Sequence, residues 1–354
     1  MEETNIYINA VAGISPQETF NATSFPQTII QYTGDRFNCI EPDYDDLIDA
    51  KLIRRMSRII KMGTAAALRC LQQSNVEMPG GIIVGTAYGC LQDTEIFLQR
   101  MIDYKEEMLT PTAFIQSTHN TVGAQIALLL QCHNYNNTFV QSGFSFESAL
   151  LDALMLLKEN EMGNVLAGAA DEITDSSHEI LTRFGLYKAV NSEKFYSYDS
   201  RGTIAGEGAF FFLLSNEHSE QNIAKLDAIE MFYDVAKVEI ENKILSFLAE
   251  QSLTIHDVDI IITGRNGDKK NDVVYNALDV TVFANKPVIN YKHLCGEYPT
   301  STSFALWLAS VIIKDKNAPQ HLMNKQHIEK DVKKILIYNH YLNTYHSLLL
   351  VSAC

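Results

Sequence analysis

The sequence predicts an α/β protein built from two consecutive α/β sets, on three observations. Strand and helix signals alternate along all 354 residues, the pattern of sheets covered by helices. A polar stretch at 215–222 (SNEHSEQN) separates a first set from a second. Hydrophobic residues make up 46% of the chain, enough to bury a large core.

In the first set, residues 6–12 read as a strand and 51–73 as a helix. The run GIIVGT at 81–86 is apolar up to its threonine and reads as a fully buried strand. Residues 93–102 and 121–130 read as helices, the second after a polar loop. Residues 138–141 read as a strand entering a small-residue turn at Ser142 and Gly143. Ala149, Leu150, Ala153, Leu154 and Leu157 then recur at helical spacing. A strand at 165–170 ends on Asp171 and Glu172, and 206–214 (GEGAFFFLL) is an aromatic-rich strand. The second set reads as strands at 225–233, 258–263, 287–290, 334–338 and 347–351, with helices at 238–250, 272–277 and 300–314. The division expected is 1–222 and 223–354.

The strand–turn–helix at 138–172 is the layout that presents a reactive group above a helix N-terminus, where backbone amides and the dipole stabilise an anion. Its turn offers serine, glycine and phenylalanine, but no cysteine. The six cysteines (Cys39, Cys70, Cys90, Cys132, Cys295, Cys354) show no metal-like spacing and suit a reducing compartment. No metal and no cofactor is expected. A formal net charge of −15 without a basic cluster argues against nucleic acid as a partner. The acidic start MEETNIYINAVAGI lacks a signal-peptide pattern and no apolar run reaches membrane-spanning length, so a cytoplasmic protein is expected.

Several segments resemble the beta-ketoacyl synthases, the condensing enzymes of fatty-acid and polyketide synthesis. Residues 6–15 are similar to the family's opening strand and loop. KLIRRMSR at 51–58 resembles its L-R-R-M-D-R helix start, and 81–89 its G-x-x-x-G-T/S-x-x-G strand and turn. NTVGAQIA at 120–127 is similar to N-x-x-A-G-x-I-A. YDSRGTIAGEGA at 198–209 resembles F-D-x-x-R-x-G-x-x-x-G-E-G-A, among the family's most specific signals. The elbow is similar to T-A-C-S-S-S followed by a helix and a strand ending A-G-G-A. The resemblance implies the thiolase fold: two pseudo-duplicated βαβαβαββ halves in a five-layer α-β-α-β-α sandwich.

The departures concern chemistry. Condensation needs a thiolate to carry the acyl chain and donors for the enolate formed on decarboxylation. Aligned on Ala149, Ala153 and Ala167-Gly168-Ala169-Ala170, the family cysteine falls on Gly143; a slip of two residues would place Gln141 there. The first family histidine, in H-G-T-G-T-x-x-x-D, falls on Gly264. The second, in K-S-x-x-G-H, falls on Glu297, while Lys292 is retained. A carboxylate at that position would repel a malonyl carboxylate. The G-F-G-G-x-N loop is replaced by HYLNTYH at 340–346.

The resemblance therefore implies a catalytically silent subunit, similar to a chain length factor, that pairs as a heterodimer with an active ketosynthase. Residues 138–141, with Thr138, Phe139, Val140 and Gln141, would then make the cross-dimer strand. Met108, Phe114 and Ile115 would set the length of the acyl tunnel or serve as ordinary interface core. Phe144 and Phe146 flank the vacated elbow and could plug it. Lys292 is expected to pair with Glu297, Glu172 or Asp199. An acidic surface would leave docking of an acidic carrier protein to a basic companion. Two other readings stay open: a decarboxylase or acyltransferase using Gln141, Ser142, Ser145 or Cys295, and a homodimer that binds acyl chains without chemistry.

Overall fold

Ten long strands define the architecture of the computed structural model, which describes residues 4–107, 109–159, 161–188, 195–196, 200–323, 328 and 330–354. The first five are β1 (Tyr7–Ile14), β2 (Gly81–Gly85), β3 (Tyr135–Phe139), β4 (Asn164–Asp171) and β5 (Gly208–Ser215). The second five are β6 (Ala224–Tyr233), β7 (Ile260–Thr263), β8 (Val288–Asn290), β9 (Lys334–Tyr341) and β10 (Tyr345–Ser352). They run in the order β8-β7-β9-β10-β6-β1-β5-β4-β2-β3.

Each set of five repeats one plan. From the molecular centre outward, the first set runs first, fifth, fourth, second, third, and so does the second. The directions match as well: β5 is antiparallel to β1 and β4, as β10 is to β6 and β9, while the outer pairs are parallel. The sets join where β1 meets β6 at Tyr7↔Lys225 and Ile8↔Ala224. The duplication invisible in sequence identity is thus plain in topology.

The helices are α1 (Ala50–Ile53), α2 (Arg58–Ser74), α3 (Leu91–Asp103), α4 (Pro111–Gln116), α5 (Thr121–Leu130), α6 (Ser145–Lys158) and α7 (Asp175–Arg183), then α8 (Ile240–Glu250), α9 (Val273–Asp279), α10 (Lys292–Cys295) and α11 (Thr302–Asp315). Three apolar clusters separate them into layers. The central one joins α6 and α11 to the inner faces of both sheets. A second joins α2 and α5 to the outer face of the first sheet, and a third joins α8 and α9 to the outer face of the second. Three helical layers alternate with two sheets, giving the five-layer thiolase sandwich.

Period-two alternation assigns the faces. On β5, Phe210, Phe212 and Leu214 enter the central cluster while Ala209, Phe211 and Leu213 enter the outer one. Both faces being covered, the strand reads as an unbroken apolar run.

Four sequence expectations need correction. The helix expected at 51–73 is broken between Ile53 and Arg58, where Ser57 begins α2 as its N-cap in extended backbone. The strand expected at 138–141 is instead Tyr135–Phe139, because pairing with β2 ends at Gly85↔Phe139 and releases Val140 and Gln141 into the turn. The loop holding Phe114 and Ile115 forms α4, opened by Pro111. An unanticipated helix, α7, begins at a capping box between Thr174 and Ser177. Among the described residues, no helix is long and apolar enough to cross a membrane.

Candidate functional site

The elbow stands at the N-terminus of α6, where β3 turns back toward the centre. Its apex is Ser142, with a left-handed φ of 53°, one residue before Gly143. The turn is braced by Ser145, whose hydroxyl accepts from Gln141 N at 2.8 Å and donates to Ser142 O at 2.9 Å. Gln141 is turned onto α6, its amide oxygen accepting from Ser148 Oγ. It lies on the strand side of the apex, away from the position a nucleophile would take.

Gly143 is buried, and the space in front of it is filled from the far end of the chain. A Cβ at Gly143 would lie 2.6 Å from Tyr341 Cβ and 2.9 Å from Tyr345 Cβ. A cysteine cannot be accommodated there without moving both tyrosines. Phe144 packs edge-on against Tyr345 at 5.1 Å, Tyr345 meets Tyr233 at 5.2 Å, and the Tyr88 and Tyr341 hydroxyls share a hydrogen bond of 3.3 Å. Phe144 thus lies beside these tyrosines, whereas Phe146 is fully buried in the central layer, 5.6 Å from Phe212.

The tyrosines reach this position on a hairpin. Strands β9 and β10 continue three residues and two residues beyond the expected ends, to Tyr341 and back from Tyr345. Leu342 and Asn343, both with positive φ, make the tight turn, and Thr344 N donates to Tyr341 O. Regular antiparallel structure therefore occupies residues 340–346, where the resemblance would put a glycine-lined loop.

Gly264 follows β7 directly. A Cβ there would fall 1.9 Å from Asn339 Oδ1, so a histidine would have to displace Asn339. The loop it opens is held from within by carboxylates. Asp272 accepts from Asn266 N at 3.0 Å and Gly267 N at 2.9 Å, and burial pushes it up to about 6. Gly267 has a φ of 75° and lies under Phe195 O, so only glycine fits that position.

Glu297 is held in a buried ion pair. Lys292 Nζ donates to both of its oxygens at 2.7 Å, and Asn266 Nδ2 donates to Oε2. Burial raises its pKa, while Lys292 and Asn266 favour its charged form. Of the three partners expected for Lys292, the structure pairs it with Glu297; Asp199 lies outside the described residues.

Burial keeps the nearby histidines neutral. His340 donates from Nε2 to Asn271 O at 3.2 Å, and its Nδ1 accepts from Asn343 N, so burial holds it neutral well below the usual range. His346 is pushed down to about 4 by burial and stacks on Phe232 at 5.1 Å. His293, also near 4, shares a hydrogen bond with Tyr196. Cys295 is fully buried, and burial pushes its thiol well up. An inert thiol is the result.

The G-E-G run has a different role, which sequence reasoning missed. Glu207 accepts from Arg58 Nη1 and Nη2, both at 2.6 Å, from Cys39 N at 2.8 Å and from Ile173 N at 3.2 Å. A Cβ at Gly206 would lie 1.9 Å from Cys295 O, so this glycine lets two backbones cross. Arg58 ends one resembling motif and Glu207 lies in another, which was the available signal.

Below Tyr88 lies a cavity of about 170 Å³, lined by Leu91, Glu172, Ile180, Leu181 and Tyr187 among others. Glu172 accepts from Gln92 N at 3.0 Å and burial pushes it up to about 7. The remaining candidates lie toward the outer edge of the first sheet. Strand β3, with Thr138 and Phe139, is the last of the ten, and Val140, Phe114 and Ile115 are exposed. Met108 lies outside the described residues.

Residues 40–188 match the family model described as the beta-ketoacyl synthase N-terminal domain. That segment of the chain is similar to the N-terminal domain of the ketosynthases. No curated protein matches it by sequence. Among solved structures it is similar to the ishigamide ketosynthase/chain length factor, at a TM-score of 0.81 and 15% identity, covering 99% of this chain and 100% of that one. A ketosynthase in complex with its chain length factor from Xenorhabdus doucetiae matches at 0.80 and 14%, covering 99% and 98%. A beta-ketoacyl synthase from Burkholderia phymatum STM815 matches at 0.80 and 12%, covering 99% and 100%. At such identities the likeness is one of fold, and in fold the chain resembles both catalytic and chain-length subunits.

Proposed function

We propose that the chain is a non-catalytic ketosynthase-like subunit, a chain length factor. It pairs with an active ketosynthase and shapes the acyl or polyene tunnel of a polyketide, aryl-polyene or fatty-acid type pathway. Residues 1–222 and 223–354 are its two thiolase-like halves. The observation that carries this reading is the filled space at Gly143, where Tyr341 and Tyr345 stand within 3 Å of any added Cβ. The ion-paired Glu297 and the crowded Gly264 support it, since neither residue supplies a histidine's donor. The partner would supply thiolate and histidines, with β3 as the contact edge and Phe114, Ile115 and Val140 beside it.

The test uses the purified chain with malonyl-carrier protein. The expected result is neither carbon dioxide release nor an acyl adduct, together with co-purification when the chain is expressed with an active ketosynthase. Carbon dioxide release abolished by Ser142→Ala would overturn it. That decarboxylase or acyltransferase reading keeps one observation: among the described residues the Ser142 hydroxyl has no hydrogen-bond partner, and it sits at the strained apex. Gln141 and Ser145 are engaged in bracing the turn, and Cys295 is buried.

A further inference from the structure

At the far end of α6 from the elbow, a polar cleft of about 170 Å³ opens between the two sets of the chain. Lys158, the last residue of α6, stands about 20 Å from the elbow by helical rise. The first set contributes Asn5, Ile6 and Lys158 to the cleft, and the second contributes Lys225, Asp227 and Lys334. Its charged lining is three lysines against one aspartate, in a chain that carries −15 overall.

A β-bulge aims the aspartate. The register of β6 on β10 passes from Leu226↔Val351 to Ala228↔Leu350, leaving Asp227 as the extra residue. Its side chain is only 12% exposed, and Oδ1 accepts from Lys225 Nζ at 2.8 Å. Its Oδ2 is buried, and among the described residues no donor reaches it. Lys225 Nζ also donates to Asn5 Oδ1 at 3.3 Å, which fixes the ammonium and leaves it one N–H. The ammonium groups of Lys158 and Lys334 have no hydrogen-bond or ion-pair partner among the described residues. The acids around Lys334 are engaged elsewhere. Asp257 accepts from Thr254 N and Oγ1, both at 2.8 Å, and Asp259 pairs with Lys330.

We infer that this cleft binds a small phosphate monoester that also carries a hydroxyl group. Two ammonium groups without a counter-ion, and a third with an N–H to spare, match a dianion, which lysine holds as a point charge. The buried Asp227 Oδ2 requires a donor, and the dianionic ester group has none to give. The hydroxyl of the ligand supplies it. The cleft has the volume of about six waters, which restricts the ligand to a few carbons beyond its phosphate. Bound there, the ligand bridges the two sets where β1 and β6 pair at Tyr7↔Lys225 and Ile8↔Ala224. Such a site is independent of whether the chain condenses acyl groups.

Isothermal titration calorimetry of the full chain with glycerol 3-phosphate tests it, with methyl phosphate and malate as comparison probes. One-to-one binding is expected, about tenfold tighter for glycerol 3-phosphate than for methyl phosphate. Lys158→Ala/Lys334→Ala should weaken it about tenfold, whereas Lys51→Ala/Lys237→Ala, which removes the same charge elsewhere, should change it less than about twofold. Asp227→Asn keeps an acceptor for Lys225 but loses the second oxygen, and should bring the two phosphate esters to within about twofold of each other. Glycerol 3-phosphate should also raise the thermal midpoint of the parent and not that of Lys158→Ala/Lys334→Ala. Lys158 is exposed and Lys334 half-buried, so that pair reports on the cleft even where Asp227→Asn fails to fold. No binding at millimolar concentration overturns the inference. So does unchanged affinity in Lys158→Ala/Lys334→Ala, an equal loss in the control pair, or malate binding as tightly as glycerol 3-phosphate.

Discussion

Glu207 and Glu297 are both buried carboxylates held by one cation, but they differ in reach. Glu207 ties together Arg58 on α2, Cys39 and Ile173. Glu297 is held by Lys292, five residues away, and by Asn266 across the neighbouring loop. The first pair joins two motifs that the chain keeps. The second occupies a place where the family pattern has a histidine. The first carboxylate braces the fold across distant segments, and the second is satisfied within its own loop region.

Removing Arg58 should have the largest effect, because it strands a carboxylate that three distant segments depend on. Arg58→Ala is expected to cost about 3–5 kcal/mol in urea unfolding. Lys292→Met should cost about 3 kcal/mol near neutral pH, but with a distinctive pH dependence. Burial raises the pKa of Glu297, and a raised folded value favours the folded state at low pH and penalises it as pH rises. The deficit of Lys292→Met should therefore shrink on acidification, and Lys292→Met/Glu297→Leu should recover to within about 1 kcal/mol of the parent. A pH-independent deficit in Lys292→Met would break the distinction drawn between the pairs.

Gly143→Cys should cost about 1–3 kcal/mol through overpacking and restore no condensation. In a double-mutant cycle with Tyr341→Ala the two costs should be clearly sub-additive, since the added Cβ meets that ring. Additive costs would mean the elbow is not filled by Tyr341. The smallest effect concerns Glu147, at the start of α6, pushed up from 4.5 to about 7 by burial and bonded to Ser347. Its raised value means stability falls as pH climbs from about 4.5 toward 7, by on the order of 2 kcal/mol. Glu147→Gln should flatten that slope in thermal melts, leaving the similar contribution of Glu172.

Much of the fold was legible because its signals are local. The apolar run of β5 and the repeated alanines and leucines of α6 are patterns of one segment, and each formed close to where it was expected. Errors fell where neighbours decide. The limit of β3 is set by its register on β2, and α7 depends on a capping pair that carries little hydrophobic periodicity. The candidate site was legible as absences: no cysteine at Gly143, no histidine at Gly264 or Glu297. What stands in their place was not.

The sequence by itself determined most of the order of strands and helices, the absence of cysteine from the elbow turn and the surplus of acid, all properties of residue type and short-range spacing. Only the tertiary structure decided that Tyr341 and Tyr345 fill the space before Gly143, about two hundred residues away. It alone paired Arg58 with Glu207 and chose Glu297 as the partner of Lys292. Close packing and charge pairing are properties of atoms in contact, and those contacts exist only once the two sheets have closed on the helices between them.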